Sequence, residues 1–385
     1  MSNPHLLLTG ATGLLGRYLV RDLLLADVPV AVLVRPSRRH SAGQRVESMM
    51  QAWETQLDRP LPKPHVLTGD IASPLMGLSR DDADWVERHC DSVLHNAASL
   101  TFHATGGADG EPWRSNVRGM EHVLTACEEL RIWDFHHVST AYVCGLRKGR
   151  VNETELDVGQ EFGNDYEVSK IRAEKLVREA DFLESATVYR PAIIVGDSGS
   201  GFTTTFHGFY HALRLVCTLA SSPDVYESSR SDNPNRVPTR LNLDGDESKN
   251  LVPVDWVSAA ISRICQDRRN YGKTYHLTAR EPVTFAMMQD VFEEMIGFRN
   301  TVFCGSGELE NPTFVERLFY EHLQTYAAYW RDDPIFDCTN TREALPDLPC
   351  PNVNATLMLK LARAAVELNF RWSDPPVREA TKVTV

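Results

Sequence analysis

No run of about 18 consecutive apolar residues occurs in the 385-residue chain, so no membrane-spanning helix is expected. Basic residues are in deficit. Forty Lys and Arg stand against 52 Asp and Glu, a formal net charge of −12, which argues against nucleic acid or an anionic membrane surface as a main partner. Paired cysteines are missing too. Cys90, Cys127, Cys144, Cys217, Cys265, Cys304, Cys338 and Cys350 are scattered with no Cys-x-x-Cys among them. Reduced thiols in a cytoplasmic protein are therefore expected, and neither a zinc site nor a disulfide framework. A strand-like run begins within the first few residues and leaves no room for a secretory signal. No internal repeat is visible. What remains is an ordinary globular composition, 42% hydrophobic and 24% charged, long enough to bury one large core or two modest ones.

What is present begins at once. His5-Leu-Leu-Leu-Thr9 reads as a buried strand, and a helical pattern follows over residues 14–26. Between them, glycines 10, 13 and 16 each answer a physical need: Gly10 the tight turn, Gly13 backbone approach to a pyrophosphate, Gly16 close packing of helix on strand. The free N–H groups and positive end of the helix then face the anion. A second strand over 29–34 ends at Arg35, with Arg38, Arg39 and Arg45 beyond it. That strand end meets the adenosine ribose of a dinucleotide, where arginine suits a 2′-phosphate, so NADP(H) is the expected cofactor.

Strands and helices then alternate. The strand at 65–68 leads to Gly69, Asp70 and Ile71, a candidate adenine-contacting turn; the strand at 92–95 leads to Asn96, Ala97 and Ala98, small enough for backbone to lie against a cofactor. A helix is expected over 111–131, a strand over 135–140, a helix over 166–184 and a strand over 186–191. Such alternation implies an α/β fold, a Rossmann-type doubly wound parallel sheet with ligands beyond the carboxyl ends of its strands. Residues 1–195 form the expected NADP-binding domain, which also receives elements from about 251–280. Residues 196–250 and 281–370 read as a smaller C-terminal substrate-binding lobe, and 371–385 as a flexible tail. Within the lobe, 199–250 is rich in Gly, Ser, Asp and Asn and is the expected mobile lid. Its one amphipathic segment, 206–216, places His207, Phe209 and Tyr210 either along the substrate cleft or in the lobe's core. His136 and His137 are neighbours on a strand and point to opposite faces, so no metal site is expected from them.

The second strong motif is Tyr166-Glu-Val-Ser-Lys170. A spacing of four sets phenol and ammonium on one face of a helix, where the cation is expected to pull down the phenol's pKa and fit it for proton transfer to or from a substrate oxygen. Lys170 could also hold the nicotinamide ribose. Ser139 and Thr140 close the strand before that helix, and alternation directs one of the two to the cleft. Asn116, on the helix before that strand, is a candidate for anchoring a water or a kink near the lysine.

TGATGLLG, the NAA after the fourth strand, VSTAYV, YEVSK and YRPAIIVG, in this order, resemble an extended short-chain dehydrogenase/reductase. GDIASPLMGLS, LHNAASLTF, DYEVSKIRAEKLV and the GDS after the sixth strand resemble more narrowly the thioester-reductase and fatty acyl-CoA reductase (male-sterility-like) branch. The resemblance covers about the first 200 residues well and the remainder poorly. It implies hydride transfer from NADPH to a carbonyl of an acyl thioester, aldehyde or ketone, the acyl group being free or bound to a carrier or coenzyme A. It assigns Tyr166 as general acid/base, Lys170 as its modulator and Thr140, five residues before Gly145, as the hydroxyl partner, with Ser139 second. Implied cofactor contacts are Gly10, Thr12, Gly13, Leu14, Leu15, Gly16, Arg35, Arg45, Asp70, Ile71, Asn96, Ala97, Ala98, Asn116, Tyr166, Lys170, Arg190, Pro191 and Ile193. Candidate substrate contacts are Thr101, Phe102, His207 and Tyr210. On the same fold the alternatives are an epimerase/dehydratase or a hydroxysteroid-type dehydrogenase. An NADP-sensing regulatory protein is the non-enzyme alternative, and the intact Tyr, Lys and Thr/Ser set speaks against it.

Overall fold

In the first strand, β1 (His5–Thr9), Leu6 and Leu8 turn to one face and Leu7 to the other, and all three are buried. An apolar residue on both faces needs a helix layer on each side, and the rest of the chain supplies them. The computed structural model describes residues 4–221, 238–299 and 301–372. After β1 come α1 (Leu14–Leu25), β2 (Val30–Val34), α2 (Ala42–Leu57), β3 (His65–Thr68), α3 (Arg80–His89) and β4 (Cys90–His95). They are followed by α4 (Gly119–Glu129), β5 (Asp134–Val138), α5 (Asp165–Arg178), β6 (Ser185–Pro191), β7 (Ile193–Val195) and α6 (Phe209–Ala220). The later elements are β8 (Leu251–Pro253), α7 (Val254–Cys265), β9 (Thr274–Leu277), α8 (Phe285–Ile296), α9 (Phe314–Leu323) and α10 (Ala355–Glu367).

Seven strands form one sheet in the order β9-β6-β5-β4-β1-β2-β3, and every pairing is parallel. Helices α1, α2 and α7 pack on the Leu6 and Leu8 face, while α3, α4 and α5 cover the face of Leu7, Ala31 and Leu33. The chain runs outward from β1 to β3 and then returns to β4 on the other side of β1. That reversal opens a crevice beyond the carboxyl ends of β1 and β4. A second core joins α6, α8 and α10 through Leu213, Met288 and Leu361, and β7 and β8, paired in parallel, connect it to the sheet.

Three boundaries differ from the sequence expectation. The strand expected to reach Thr140 ends at Val138, because the Thr140 hydroxyl accepts from the Tyr142 N–H and starts a 3-10 turn, Ala141–Cys144. The helix expected over 111–131 begins as a π-turn, Arg114–Arg118, before α4. The helix expected to reach residue 184 stops at Arg178. Residues 222–237 and 373–385, parts of the expected lid and tail, lie outside the described residues. The neighbouring α6 buries Phe209, Tyr210 and Leu213 in the second core and is packed rather than loose. No helix of the described residues is long and apolar enough to cross a membrane.

Candidate active site

The glycine turn is fixed by what surrounds it. Gly10 has φ +71°, and a Cβ there would meet Ala97 N at 2.7 Å; a Cβ on Gly16 would overlap the Gly10 carbonyl oxygen. Gly13 caps α1 without a side-chain bond to its first N–H groups, which leaves the positive helix end open to an anion. Thr9, which opens the TGATGLLG motif but was given no role there, locks the crevice. Its hydroxyl lies 3.0 Å from His95 Nδ1 and accepts from the N–H groups of Asn96 and Ala97, each at 3.1 Å. The Asn96 amide donates to the Gly10 carbonyl at 3.2 Å. A hydroxyl residue directly before a glycine turn is the signal that could have found it.

A cavity of about 620 Å³ runs through this crevice. At one end Arg35 is largely exposed, 3.4 Å from Asp70. The Arg45 guanidinium donates to the Arg35 carbonyl at 2.7 Å and to the Thr12 hydroxyl at 2.8 Å. Two arginines thus flank the rim of the glycine turn. At the other end α5 presents Tyr166 and Lys170, one turn apart, to the same cavity. Lys170 Nζ donates to the Val138 carbonyl at 2.8 Å. Thr140 and Tyr166 line the same cavity, and the Tyr166 ring packs 5.7 Å from Phe102.

Burial pushes the Tyr166 phenol up to about 12, against the opposing effect of Thr140. Burial pulls the Lys170 ammonium down to about 8, against the opposing charge of Glu174. The expectation that Lys170 lowers the phenol's pKa is therefore corrected. Its ammonium is engaged by a backbone carbonyl, and desolvation governs the phenol instead. Tyr166 is protonated at neutral pH.

The cavity wall includes Gly10, Thr12, Gly13, Leu14, Leu15, Arg35, Arg45, Asp70, Ile71, Asn96, Ala97, Ala98, Phe102, Ser139, Thr140, Tyr166, Lys170, Pro191, Ile193 and His207. Both Ser139 and Thr140 contribute to it, so alternation does not separate them as expected. What separates them is that the Thr140 hydroxyl accepts from the Tyr142 N–H and lies 3.5 Å from the Pro191 carbonyl, whereas the buried Ser139 hydroxyl meets no partner among the described residues.

Five expected contacts lie off the wall. Gly16 sits beneath the turn. Asn116 is buried in the π-turn, bonding both backbone groups of Ser99 and the Ser169 hydroxyl. Arg190 is fully buried in a two-pronged pair with Glu174 at 2.6 and 3.1 Å. Thr101 accepts from the Ser99 hydroxyl at 3.0 Å. The Tyr210 hydroxyl accepts from Gly196 N–H, and its ring lies in the second core. His136 and His137 diverge, the first to the Tyr189 hydroxyl and the second against His95. Many wall residues that carried no motif come from late in the chain, among them Lys249, Leu251, Phe285, Met288, Tyr326, Tyr329 and Trp330.

A Rossmann sheet with its crevice at the β1–β4 switch and a second helical core added late in the chain is the architecture of extended short-chain dehydrogenases/reductases, nicotinamide-dependent oxidoreductases. The family model described as male sterility protein matches residues 8–261, more than half of the chain, and the chain belongs to that family. The crystal structure of the terminal R domain from the myxalamid PKS-NRPS biosynthetic pathway superposes with TM-score 0.75 at 25% identity, covering 97% of this chain and 93% of that one. The L-2-aminoadipate reductase large subunit of Penicillium chrysogenum is 29% identical over 68% of this chain and 18% of its own length. The isonitrile lipopeptide synthase of Streptomyces coeruleorubidus is 27% identical over 75% of this chain and 18% of its own length. The chain thus spans less than a fifth of either curated relative.

Proposed function

We propose that this protein is an NADPH-dependent reductase of acyl thioesters carried on coenzyme A or a carrier arm, with Thr140, Tyr166 and Lys170 as its catalytic set. The observation that carries the reading is the meeting of these three side chains in a cavity continuous with the glycine turn. A terminal R domain of a PKS-NRPS pathway and an L-2-aminoadipate reductase subunit among the relatives support the reductase reading.

The residues present fit the dinucleotide. Gly10 and Gly16 hold the turn where any Cβ would strike backbone, Gly13 brings bare backbone to the cavity wall at the α1 N-terminus that would face a pyrophosphate, and Arg35 with Arg45 suits a 2′-phosphate. Lys170 would hold the nicotinamide ribose. The cofactor, when bound, supplies hydride to the carbonyl carbon. Tyr166 donates its phenol proton to the carbonyl oxygen, and Thr140 orients that oxygen through a shared hydrogen bond. The product is a hemithioacetal, which expels the thiol and leaves an aldehyde. The packed rings of Phe102, Tyr326 and Tyr329 exclude water from the reacting end. The test is a panel of acyl thioesters, aldehydes and ketones with NADPH, following cofactor absorbance and thiol release. Thioester-dependent NADPH consumption with stoichiometric thiol is expected. Consumption with ketones alone would reject the thioester reading.

A further inference from the structure

The chemistry above leaves unused a second buried lysine in the same cavity. Lys249 precedes β8 and is 4% exposed, yet it forms part of the cavity wall. Its ammonium donates to Asp333 Oδ1 at 2.6 Å. The other carboxylate oxygen of Asp333 accepts from the Tyr142 hydroxyl and the Asn250 N–H, each at 2.8 Å. Lys249 Nζ also lies 5.9 Å from the Tyr329 ring. That ring is 5.2 Å from Tyr142 and 5.6 Å from Phe102, which packs on Tyr166. Tyr142 is two residues from Thr140. The lysine therefore belongs to the reacting end of the cavity and not to the nucleotide end.

An ammonium carries three N–H donors, and Asp333 takes one of them. The other two meet no protein acceptor among the described residues. Buried donors are costly to leave unpaired, and Lys249 is one of the residues that line the cavity. Since Asp333 already balances the charge, an uncharged acceptor oxygen fits better there than a second carboxylate. We propose that Lys249 is a specificity residue that binds a carbonyl oxygen within the substrate's acyl group, a few bonds from the reacting carbon. The proposal rests on the thioester reading.

The test compares three thioesters of N-acetylcysteamine whose acyl chains have the same length: pentanoyl, 4-oxopentanoyl and N-acetylglycyl. In the native protein the two that carry an extra carbonyl should exceed pentanoyl in kcat/KM by roughly ten- to a hundredfold. A preference confined to N-acetylglycyl or to 4-oxopentanoyl identifies an amide or a ketone as the acceptor. In Lys249→Met the ratio should fall to about one, and Lys249→Arg should keep part of it. If Lys249→Met does not fold, Lys249→Met/Asp333→Asn removes both buried charges and takes its place. A native ratio near one, or a ratio unchanged on substitution, overturns the proposal, since a merely structural lysine would affect all three compounds alike. If none of the three is reduced, the thioester reading fails separately. Their dissociation constants, measured by calorimetry, then decide: a preference that depends on Lys249 upholds the site, and equal values overturn it.

Discussion

Tyr166 and Lys170 lie one helical turn apart, but desolvation moves them in opposite directions, the phenol up to about 12 and the ammonium down to about 8. For a proton donor in a reduction the first shift is useful, since the phenol stays protonated throughout the working range. The second has a measurable sign. Lys170 is charged below about pH 8 and neutral above it, so KM for NADPH should rise and kcat/KM fall as pH climbs through that value. Lys170→Arg keeps its cation and should carry the alkaline limb to higher pH; coincident profiles for the two proteins would show that Lys170 does not set the limb. At the far end, Arg35 is largely exposed, so its contact with a 2′-phosphate is discounted by solvent. Arg35→Ala should therefore reduce the preference for NADPH over NADH by about tenfold, measured as the ratio of dissociation constants. An unchanged ratio would leave Arg45, fixed by Thr12, as the selecting group. Tyr166 and Lys170 were legible because a spacing of four is a local fact of a helix. The fate of Arg190 was not, because its partner Glu174 becomes its neighbour only when α5 packs on β6.

Among the elements, α5 carries the most, and it is tied down from several sides. Asn164 caps it by accepting from the Glu167 N–H at 3.0 Å and donates to the Tyr329 hydroxyl at 3.2 Å. In its last turns Glu174 is fully buried. Burial alone would raise its pKa, but Arg190 and Arg178 outweigh that and hold the carboxyl below its usual range. Removing one partner of such a pair leaves a stranded charge. Arg190→Met should cost about 3–5 kcal/mol in chemical denaturation, whereas Arg190→Met/Glu174→Met should recover most of the loss. A double variant as unstable as the single would show that shape, not charge, sets this contact. Element types followed from periodicity, while their ends followed from tertiary partners. The π-turn before α4 is held by Asn116 bonding Ser99 and Ser169, 17 and 53 residues away. Nothing within a helical window announces that.

Over the whole molecule, the two cores differed in how well they could be read. The Rossmann sheet is built from consecutive strand–turn–helix units, each with its own glycine, cap or apolar run, so local patterns added up to the correct architecture. The reacting end is assembled differently. Phe102 lies 5.3 Å from Tyr326 and 5.6 Å from Tyr329, more than 220 residues along the chain, and Lys249 meets Asp333 across another long interval. No short motif encodes such meetings, which is why the resemblance faded over the later part of the chain. The most direct test of the function joins both halves: acyl-thioester-dependent NADPH oxidation by the native protein and by Tyr166→Phe, with NADPH affinity measured for each. The substitution keeps the ring and its packing on Phe102 and removes the proton. Turnover should fall by about 10²–10⁴-fold while NADPH binds almost as tightly as before. Full turnover in Tyr166→Phe would contradict the mechanism.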